Sequence, residues 1–325
     1  MLKVSVVIPC HNEEENIGKC IDSVFACRYQ EVEIIVVDDG STDRTPEMCK
    51  PYMDENLIKY FKRSERGGPA KAINAGAKAA SGALIAVLNA DSLAPYDWIR
   101  KAAEHFLSDG GVIAVGGPLK SSTKTYWAVC GEKLDQLLLD RRLMVSPLLG
   151  TNMFVRSDVL RALGFFNASL GVGEDFDLSL RLSNYSKRTG GRIVFDRDLA
   201  VFTAYPDMLW SVAKRHFWWG EGRSRVLLKS GKWEMGAWVR VLYVPSIIGL
   251  AVAMFLSLKL WLVAGIFALG LTGMIVAPML VVVSRLAMES NRKRVRLSEF
   301  LGLLVLAYVR VISGSLGSVW ALFKR

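Results

Sequence analysis

Histidine is scarce in this sequence, and its cysteines do not form the close pairs that zinc sites and small disulfide frameworks use. Three histidines occur among the 325 residues, and the five cysteines include no CxxC spacing. The cysteines are Cys10, Cys20, Cys27, Cys49 and Cys130. Their odd number and wide spacing argue against both kinds of site. We expect reduced thiols that pack as small hydrophobic side chains in a cytosolic domain.

Acidic side chains are too few to balance the basic ones. Aspartate and glutamate together number 31, against 41 lysines and arginines, which gives a formal net charge of +10. Such an excess suits nucleic acid, an anionic membrane surface or an acidic substrate. No short nucleic-acid-binding signature is visible, and the densest basic runs flank apolar segments. These observations predict a membrane surface, and no nucleic acid, as a partner.

A signal peptide is not recognisable at the start, because MLKVSVVIP is too short and too rich in β-branched residues. Charge is nearly absent from residues 239–258, 260–283 and 300–323, and each stretch has about the 20 residues that cross a bilayer. The loop at 284–299 contains five basic residues. The positive-inside rule therefore predicts that this loop is cytosolic, on the same side as the first part of the chain.

The third apolar stretch allows two interpretations. Arg310 lies in its middle, and a charge at the bilayer centre costs about 2.5–3.5 kcal/mol on insertion scales. The stretch can span the membrane with Arg310 facing other helices, or it can be a re-entrant or interfacial helix. Lys324 and Arg325 follow it and favour a cytosolic position for this end, which agrees with the second interpretation.

These patterns predict an integral protein of the cell membrane with a cytosolic catalytic domain. We place that domain at residues 1–212 and an interfacial amphipathic linker at 213–238. A membrane region with two to three helices follows at 239–325.

Strand and helix patterns alternate along the first part of the chain. Strands are predicted at 4–9, 33–37, 57–61 and 83–88, and helices at 13–26 and 70–80. Such alternation predicts an α/β fold with a mostly parallel sheet flanked by helices. Ligands bind these sheets outside the carboxyl ends of the strands, which is where Asp39 and Asp91 occur.

Four motifs carry a resemblance to a known family. They are VSVVIPCHNEEENIGKCIDS, VVDDGSTDRT, VLNADS and GTNMFVRSDVLRALGFFNASLGVGEDFDLSLRL. In this order and spacing they resemble the family 2 glycosyltransferases of the Rossmann-like GT-A fold, over residues 3–206. The resemblance implies an inverting transfer from a UDP- or GDP-sugar, with Mn²⁺ or Mg²⁺ as a divalent cofactor.

The resemblance implies a nucleotide pocket at Asp39, with the Pro9 segment and Glu13 in its wall. A carboxylate at the end of the second strand can accept a hydrogen bond from a base N–H or a ribose hydroxyl. The DDG sequence by itself is more typical of a turn that Asp38 and Asp39 cap. Lys71 follows two glycines and is a candidate for diphosphate binding, although a solvated charged loop fits the same pattern.

Asn89-Ala-Asp91 occupies the place of the DxD motif, whose last acid usually reaches the metal in the family. Asp91 is therefore the predicted metal ligand, because a hard cation held by a carboxylate neutralises a diphosphate leaving group. Asn89 replaces the first acid and removes one charge, but its amide can still bind a ribose or a metal-bound water. Thr203 stands where many relatives have histidine, so diphosphate oxygens and water are expected to complete the coordination.

Glu174 and Asp175 lie where the resemblance implies the catalytic base. Inverting sugar transfer needs a carboxylate that removes the proton of the acceptor, and Asp175 matches that residue. The neighbouring Glu174 is a further candidate for acceptor or diphosphate contact and is expected to raise the apparent pKa of the pair. Asp177 is more typical of a charge at a helix N-terminus. With an acceptor that is already an anion, Asp175 would position it instead.

The segment KRHFWWGEGRSR at 214–225 is a loose version of the family's QxxRW element. By this resemblance Arg215, Trp218 and Trp219 are candidates for binding the diphosphate or the acceptor. The same residues are typical of an interfacial helix, with tryptophans at the depth of lipid headgroups, and we favour that role.

The combined prediction is a membrane enzyme that adds one sugar to a lipid-linked acceptor such as a polyprenyl phosphate. A processive polysaccharide synthase is the alternative, although such enzymes usually have more helices and a clear QxxRW. A nucleotidyltransferase needs a glycine-rich basic loop where this chain has the acidic PCHNE. A catalytically impaired scaffold protein is opposed by the joint presence of Asp39, Asp91 and Asp175.

Overall fold

A computed structural model describes residues 1–138, 148, 150–230, 242–251, 270–273, 276 and 297–323. The chain divides into two compact units. The first comprises Met1–Ser122 and Arg141–Ala204, and the second comprises Thr123–Asp140 and Tyr205–Arg325.

The first unit is built on a seven-stranded sheet with the strand order β3-β2-β1-β4-β8-β6-β9. A smaller sheet has the order β5-β10-β7. The strands are β1 (Val4–Cys10), β2 (Val32–Asp38), β3 (Lys59–Lys62), β4 (Leu84–Val87), β5 (Ser92–Leu93), β6 (Val112–Gly116), β7 (Leu119–Ser121), β8 (Met153–Arg156), β9 (Arg192–Phe195) and β10 (Val201–Thr203). Its helices are α1 (Ile17–Ala26), α2 (Thr45–Asp54), α3 (Pro69–Ala79), α4 (Trp98–Ser108), α6 (Ser157–Ala162) and α7 (Glu174–Thr189).

The central strands are buried on both faces because their apolar runs are continuous. Successive residues of β1 point to opposite faces of the sheet, so Val6 and Val7 belong to two different hydrophobic clusters. β1 pairs in parallel with β2 on one side and with β4 on the other. α3 lies close to this sheet because Gly76 has no Cβ, which would overlap Val7 and Val37. The carboxyl ends of β2, β1 and β4 therefore stand side by side at one edge.

The predicted α/β class is confirmed, and the four predicted strands are present with ends shifted by one or two residues. The first helix differs more, since it begins at Ile17 rather than at Glu13. Glu13 lies in a turn in which its carbonyl oxygen accepts the N–H groups of Asn16 and Ile17. Its own N–H donates to the hydroxyl of Thr45, the first residue of α2. A tertiary contact therefore replaces the first helical turn.

The cysteines are buried, as expected, and none is in a disulfide bond. Burial raises the pKa of the Cys10, Cys20 and Cys49 thiols far above the ordinary value of 9.0. At neutral pH they are protonated thiols, which behave as small apolar groups.

The second unit is helical in the part that the structure describes. It contains α5 (Tyr126–Leu138), α8 (Leu209–Ser230), α9 (Leu242–Ala251) and α10 (Leu297–Phe323). Within α10, Ser298–Phe323 is long and apolar enough to cross a membrane, by length and composition alone. It coincides with the third predicted stretch. α9 falls in the first predicted stretch, whereas most of the second and nearly all of the basic loop lie outside the described residues. The domain boundaries remain a prediction.

Candidate active site

The predicted ligand-binding residues of the first unit follow three neighbouring strands. Pro9 is in β1 and Glu13 comes after it, Asp39 follows β2, and Asn89 and Asp91 follow β4. Because β2, β1 and β4 are adjacent and parallel, these residues share one edge of the sheet.

Asp38 has a structural role at this edge. It is fully buried, and its carboxylate accepts hydrogen bonds from the Tyr60 hydroxyl at 2.6 Å and from the Ser41 N–H at 2.7 Å. Burial, reinforced by this carboxylate, raises the pKa of Tyr60, which therefore keeps its proton. Asp38 thus fixes the turn that leaves β2.

Asp39 holds a glycine-containing loop in place. Its carboxylate accepts from the Arg63 guanidinium at 2.5 Å, the Gly67 N–H at 3.0 Å and the Gly68 N–H at 2.7 Å. Gly68 has a φ of 89°, a conformation that favours glycine. Only 6% of the Asp39 side chain is exposed. A ligand that reaches this carboxylate must share it with the loop at 63–68.

The loops after β1 and β2 are tied together, and this positions Glu13. Asn12 donates its N–H to the Ser41 hydroxyl at 2.9 Å, and the Glu13 N–H reaches the Thr45 hydroxyl at 2.8 Å. Burial raises the pKa of Glu13, the Asn16 amide opposes this change, and the negative charge of Asp91 adds to it. The ends of β1 and β4 thus bring two carboxylates within electrostatic range of each other.

The Asn89–Asp91 loop is fastened by a residue from a distant part of the chain. The Thr151 hydroxyl accepts the Asn89 N–H at 3.0 Å and lies 3.1 Å from the Ser92 hydroxyl. Ser92 donates in turn to the Asp91 carboxylate at 3.2 Å. The Asn89 side chain itself is exposed. Sequence reasoning missed Thr151 because 62 residues separate it from Asn89.

The donors at this edge fit part of a divalent metal site. Asp91 offers a carboxylate and Asn89 an amide oxygen, both hard donors that suit Mg²⁺ or Mn²⁺. Among the described residues, no group of three or more histidine, cysteine, aspartate or glutamate side chains gathers around one point. The described side chains thus offer fewer ligands than such a cation takes, which leaves positions for substrate oxygens and water.

Asp175 is placed by the first turn of α7. The helix begins at Glu174 after Gly173, whose φ of 89° is left-handed. The Asp175 carboxylate accepts the N–H of Gly150 at 3.2 Å and that of Phe176 at 2.7 Å. Burial, and after it the charge of Asp175, raises the pKa of Glu174 to about 7. Near neutrality Glu174 is therefore only partly ionised beside its charged neighbour.

Asp177, two residues further on, is engaged elsewhere. Its carboxylate pairs with the Arg181 guanidinium at 2.7 Å. Arg181 also donates to the carbonyl oxygens of Leu163 and Phe165, both at 2.8 Å. This ion pair joins the helix to a preceding loop, which agrees with a structural role for Asp177.

Gly150 and Thr151 connect the two acidic parts of the site. Gly150 donates to Asp175, and the next residue, Thr151, holds the Asn89 backbone. A Cβ at position 150 would lie 3.2 Å from the Cβ of Asp175, so the glycine allows a close approach. Asp175 is therefore linked to the end of β4 through one dipeptide.

The remaining predicted residues lie on two helices, α3 and α8. Lys71 is exposed in the first turn of α3. Arg215, Trp218 and Trp219 belong to α8, in the second unit. There the Arg215 guanidinium lies over the rings of Tyr205 and Trp219, at 6.0 and 5.8 Å from their centroids. Such cation–π contacts stabilise the unit by about 0.5–2 kcal/mol each.

Two family descriptions match the chain. "Glycosyl transferase family 2" matches residues 5–162, and "Glycosyl transferase family group 2" matches residues 84–288. The chain is 27% identical over 259 residues to Glycosyltransferase AglE of Haloferax volcanii, covering 75% of this chain and 82% of that protein. It is 26% identical over 237 residues to poly-beta-1,6-N-acetyl-D-glucosamine synthase of Staphylococcus aureus, covering 70% of this chain and 56% of the synthase.

A solved structure has a similar fold along the whole chain. It is the mannosyltransferase PcManGT from Pyrobaculum calidifontis in complex with GDP-Man and Mn²⁺. The TM-score is 0.61 at 18% sequence identity, with 100% of this chain and 88% of that chain covered.

Proposed function

The chain belongs to the glycosyl transferase family group 2, and from that premise we propose that it moves a sugar from a nucleoside-diphosphate sugar to a lipid-linked acceptor at the cytosolic leaflet of a membrane. It is a glycosyltransferase with the GT-A fold. The arrangement of Asp39, Asp91 and Asp175 carries the proposal. Two of them stand at the carboxyl ends of neighbouring strands, and the third is linked to the same edge through Gly150 and Thr151.

In this proposal the nucleotide lies against the ends of β1 and β2. Asp39 accepts a hydrogen bond from the base or ribose, while Pro9 and Glu13 form the wall of the pocket. The loop that Asp39 holds leads into α3, and Lys71 lies exposed in the first turn of that helix. A helix N-terminus with an exposed ammonium nearby suits a diphosphate.

Asp91, with the Asn89 amide beside it, is the proposed holder of a divalent cation, Mn²⁺ or Mg²⁺. When bound, that cation would offset the negative charge that develops on the departing diphosphate. The similar mannosyltransferase was solved with GDP-Man and Mn²⁺, which supports a cation here. Because Asn89 carries no charge, the phosphate oxygens of the donor are expected to supply further ligands.

Asp175 is the proposed base. The acceptor oxygen forms its bond to the anomeric carbon while the bond from that carbon to the diphosphate oxygen breaks. Asp175 takes the proton of a hydroxyl acceptor, and the electron pair of the broken bond leaves on the nucleoside diphosphate. A phosphate acceptor has no proton to lose at this step, and there Asp175 positions the nucleophile. Attack opposite the leaving group inverts the anomeric configuration.

The membrane part of the proposal rests on the second unit. α10 is long and apolar enough to cross a bilayer, and α8 exposes Trp210, Trp218 and Trp219. Tryptophans are common at the membrane interface, where their rings are apolar and their N–H groups stay wet. An enzyme held at a membrane by these helices can combine a water-soluble donor with an acceptor that has an apolar tail. Arg215 and Glu174 are proposed contacts for the acceptor or the diphosphate.

The test is a donor screen with the full chain in proteoliposomes. UDP- and GDP-sugars are supplied with Mn²⁺ and a polyprenyl phosphate, and the release of nucleoside diphosphate and the lipid product are measured. We expect one donor to give one sugar per lipid, and Asp91→Asn to abolish the product. Asp54→Asn, a change at an exposed helix carboxylate, is the matched control and should be fully active. Absence of product from every donor contradicts the proposal, and long chains would indicate the processive alternative.

A further inference from the structure

α10 has two faces of different character. The exposed one is an apolar stripe, formed by Leu301, Val305, Ile312, Leu316 and Trp320. Their spacing of four or seven residues places them on one side of an α-helix. We call these five residues the α10 stripe.

The opposite face of α10 is packed within the second unit along most of its length. Near its start, a Cβ at Gly302 would overlap the Tyr126 hydroxyl of α5. Further along, a Cβ at Gly317 would overlap the carbonyl oxygen of Phe217 in α8. The next residue, Ser318, donates to the carbonyl oxygen of Gly220 at 3.3 Å. The first half of the helix thus lies on α5, and the second half lies on α8.

Arg310, in the middle of α10, faces this packed side. Its guanidinium pairs with the Asp135 carboxylate at 2.5 Å and donates to the Gly131 carbonyl oxygen at 3.2 Å, both in α5. Only 12% of the Arg310 side chain is exposed. The positive charge in the middle of α10 is therefore held by a polar helix of the same unit and is kept away from the stripe.

The two helices beneath α10 are too polar for the interior of a bilayer. α5 contains three charged side chains, and α8 contains six. If α10 crossed the membrane, its close contacts would draw parts of both helices into the hydrocarbon, where every ionised group is costly. If α10 lies along the membrane surface instead, the same charges remain on the aqueous side.

Basic residues flank α10 at both ends in the sequence. Arg292, Lys293, Arg294 and Arg296 precede it, and Lys324 and Arg325 follow it. A spanning helix would have one of these groups on each side of the membrane, against the bias of basic residues toward the cytosol. In an in-plane helix, both groups reach the anionic headgroups of one leaflet.

We propose that α10 lies in the plane of the cytosolic leaflet, with the α10 stripe in contact with anionic lipid, and does not cross the bilayer. The proposal rests on the membrane association stated under the proposed function. It concerns the orientation of this helix in the lipid, whereas the proposed function concerns the sugar-transfer reaction. The charged side chains of α5 and α8 then face water, and the exposed tryptophans of α8 reach the headgroups of the same leaflet.

Spin labels measure the depth of the stripe directly. Single cysteines replace Leu301, Val305, Ile312 and Leu316 in the full chain, reconstituted in vesicles of phosphatidylethanolamine and phosphatidylglycerol. Depth is read from the relative accessibility of each nitroxide to oxygen and to a water-soluble nickel complex. The parent chain is the control for background labelling, since its five cysteines are buried. Only variants whose circular dichroism matches that of the parent are compared.

An in-plane helix places all four labels at nearly one depth, within about 5–10 Å of the headgroup boundary. A spanning helix makes Ile312 the deepest and Leu301 shallow, since they are separated along the axis by about 16 Å. The second pattern overturns the proposal. So do four labels with little access to oxygen, because another protein segment or a second copy of the chain would then cover the stripe.

A second measurement uses cysteines at Ser298 and Leu322, near the two ends of α10, with a membrane-impermeant maleimide and sealed vesicles. A cysteine at the exposed Tyr96 of the first unit reports which side is labelled. We expect both ends to react from the side on which position 96 reacts, and reaction from opposite sides contradicts the proposal. Sugar transfer is assayed in the same vesicles. Transfer with opposite-side labelling refutes only the orientation, and same-side labelling without transfer refutes only the function.

Discussion

At the scale of single residues, acidic side chains of the first unit that look alike in the sequence have different roles. The Asp38 carboxylate accepts hydrogen bonds from Tyr60 and Ser41, whereas that of the neighbouring Asp39 binds the loop at 63–68. Asp177 is paired with Arg181, whereas Asp175 has only backbone N–H partners among the hydrogen bonds described above. The assignment of a carboxylate to catalysis or to structure thus depends on which donors surround it.

Asp175→Asn removes the proposed base while it keeps the size of the side chain. With a hydroxyl acceptor, we expect kcat/KM for the acceptor to fall by about 10²- to 10⁴-fold, the usual contribution of a positioned base. The KM of the nucleotide sugar should change little. Asp177→Asn is the contrast, because it breaks the ion pair with Arg181 and should lower stability by about 1–3 kcal/mol with kcat nearly intact. Equal losses of kcat/KM in the two variants would refute the assignment.

Glu174 should make stability depend on pH near neutrality. Its pKa is raised from 4.5 to about 7, so the folded protein keeps a proton that the unfolded chain releases. This stabilising contribution is complete below about pH 4.5 and is lost as the pH rises through 7. Glu174→Gln has no proton to lose. From about pH 5 to about pH 8 the free energy of unfolding of the parent should therefore fall more than that of the variant. The difference between the two falls should be on the order of 2 kcal/mol.

Thermal unfolding of the two proteins in detergent at several pH values measures this difference. Curves that stay parallel across the range would show that Glu174 titrates normally in the folded state.

At the scale of secondary-structure elements, glycines set the distance between α8 and α10. Cβ atoms at Gly220 and Gly317 would overlap backbone carbonyl groups of the opposite helix, which side-chain rotation cannot relieve. Backbones this close also allow Ser318 to reach the carbonyl oxygen of Gly220. The two helices consequently behave as one packed element.

Gly317→Ala should separate these helices and destabilise the second unit by about 1–3 kcal/mol, as overpacked sites usually do. The matched control is Gly249→Ala in α9, where a Cβ would meet no atom within 4 Å. Alanine there should be neutral or should stabilise the helix by up to about 1 kcal/mol. Limited proteolysis at increasing temperature compares the stability of the second unit in the two variants. A Gly317→Ala protein as resistant as the control would show that the close packing is absent in solution.

The sequence predicts some elements well and others poorly, for physical reasons. β1, β2 and β4 are continuous apolar runs, and burial on both faces leaves little ambiguity. The antiparallel insertion of β8 between β4 and β6 depends on pairing between distant segments, which no local pattern encodes. The local pattern starts α1 too early because the partner of Glu13, Thr45, lies at the start of another helix, 32 residues further along the chain.

The candidate site divides in the same way. The positions of Asp39 and Asp91 at the sheet edge are predictable because both residues follow recognisable strands. Their roles, and that of Asp175, stay predictions that rest on the resemblance to a known family. Thr151 was not predictable, since its importance comes from a contact across 62 residues. The loop that occupies Asp39 was also missed, because it approaches only when the sheet has formed.

At the scale of the whole molecule, the small number of acidic ligands among the described residues predicts that metal binding depends on substrate binding. With Asp91 as the proposed charged ligand, Mn²⁺ should bind weakly to the protein alone and tightly once a nucleoside diphosphate supplies phosphate oxygens. Calorimetry with and without the nucleotide of the active donor tests this, and Asp91→Asn should abolish the enhancement. Tight binding of Mn²⁺ without nucleotide would contradict this coupling. Chelation by EDTA should stop sugar transfer, and added Mn²⁺ should restore it.

The dipeptide Gly150-Thr151 makes the two ends of the reaction mechanically dependent on each other. This dipeptide anchors Asp175, the proposed base, and also the loop of Asp91, the proposed metal ligand. A displacement of this segment therefore changes bond making and bond breaking together, so substitutions on either side should be non-additive in double-mutant cycles. Selection for a new acceptor cannot reshape one end of this active site without also adjusting the other.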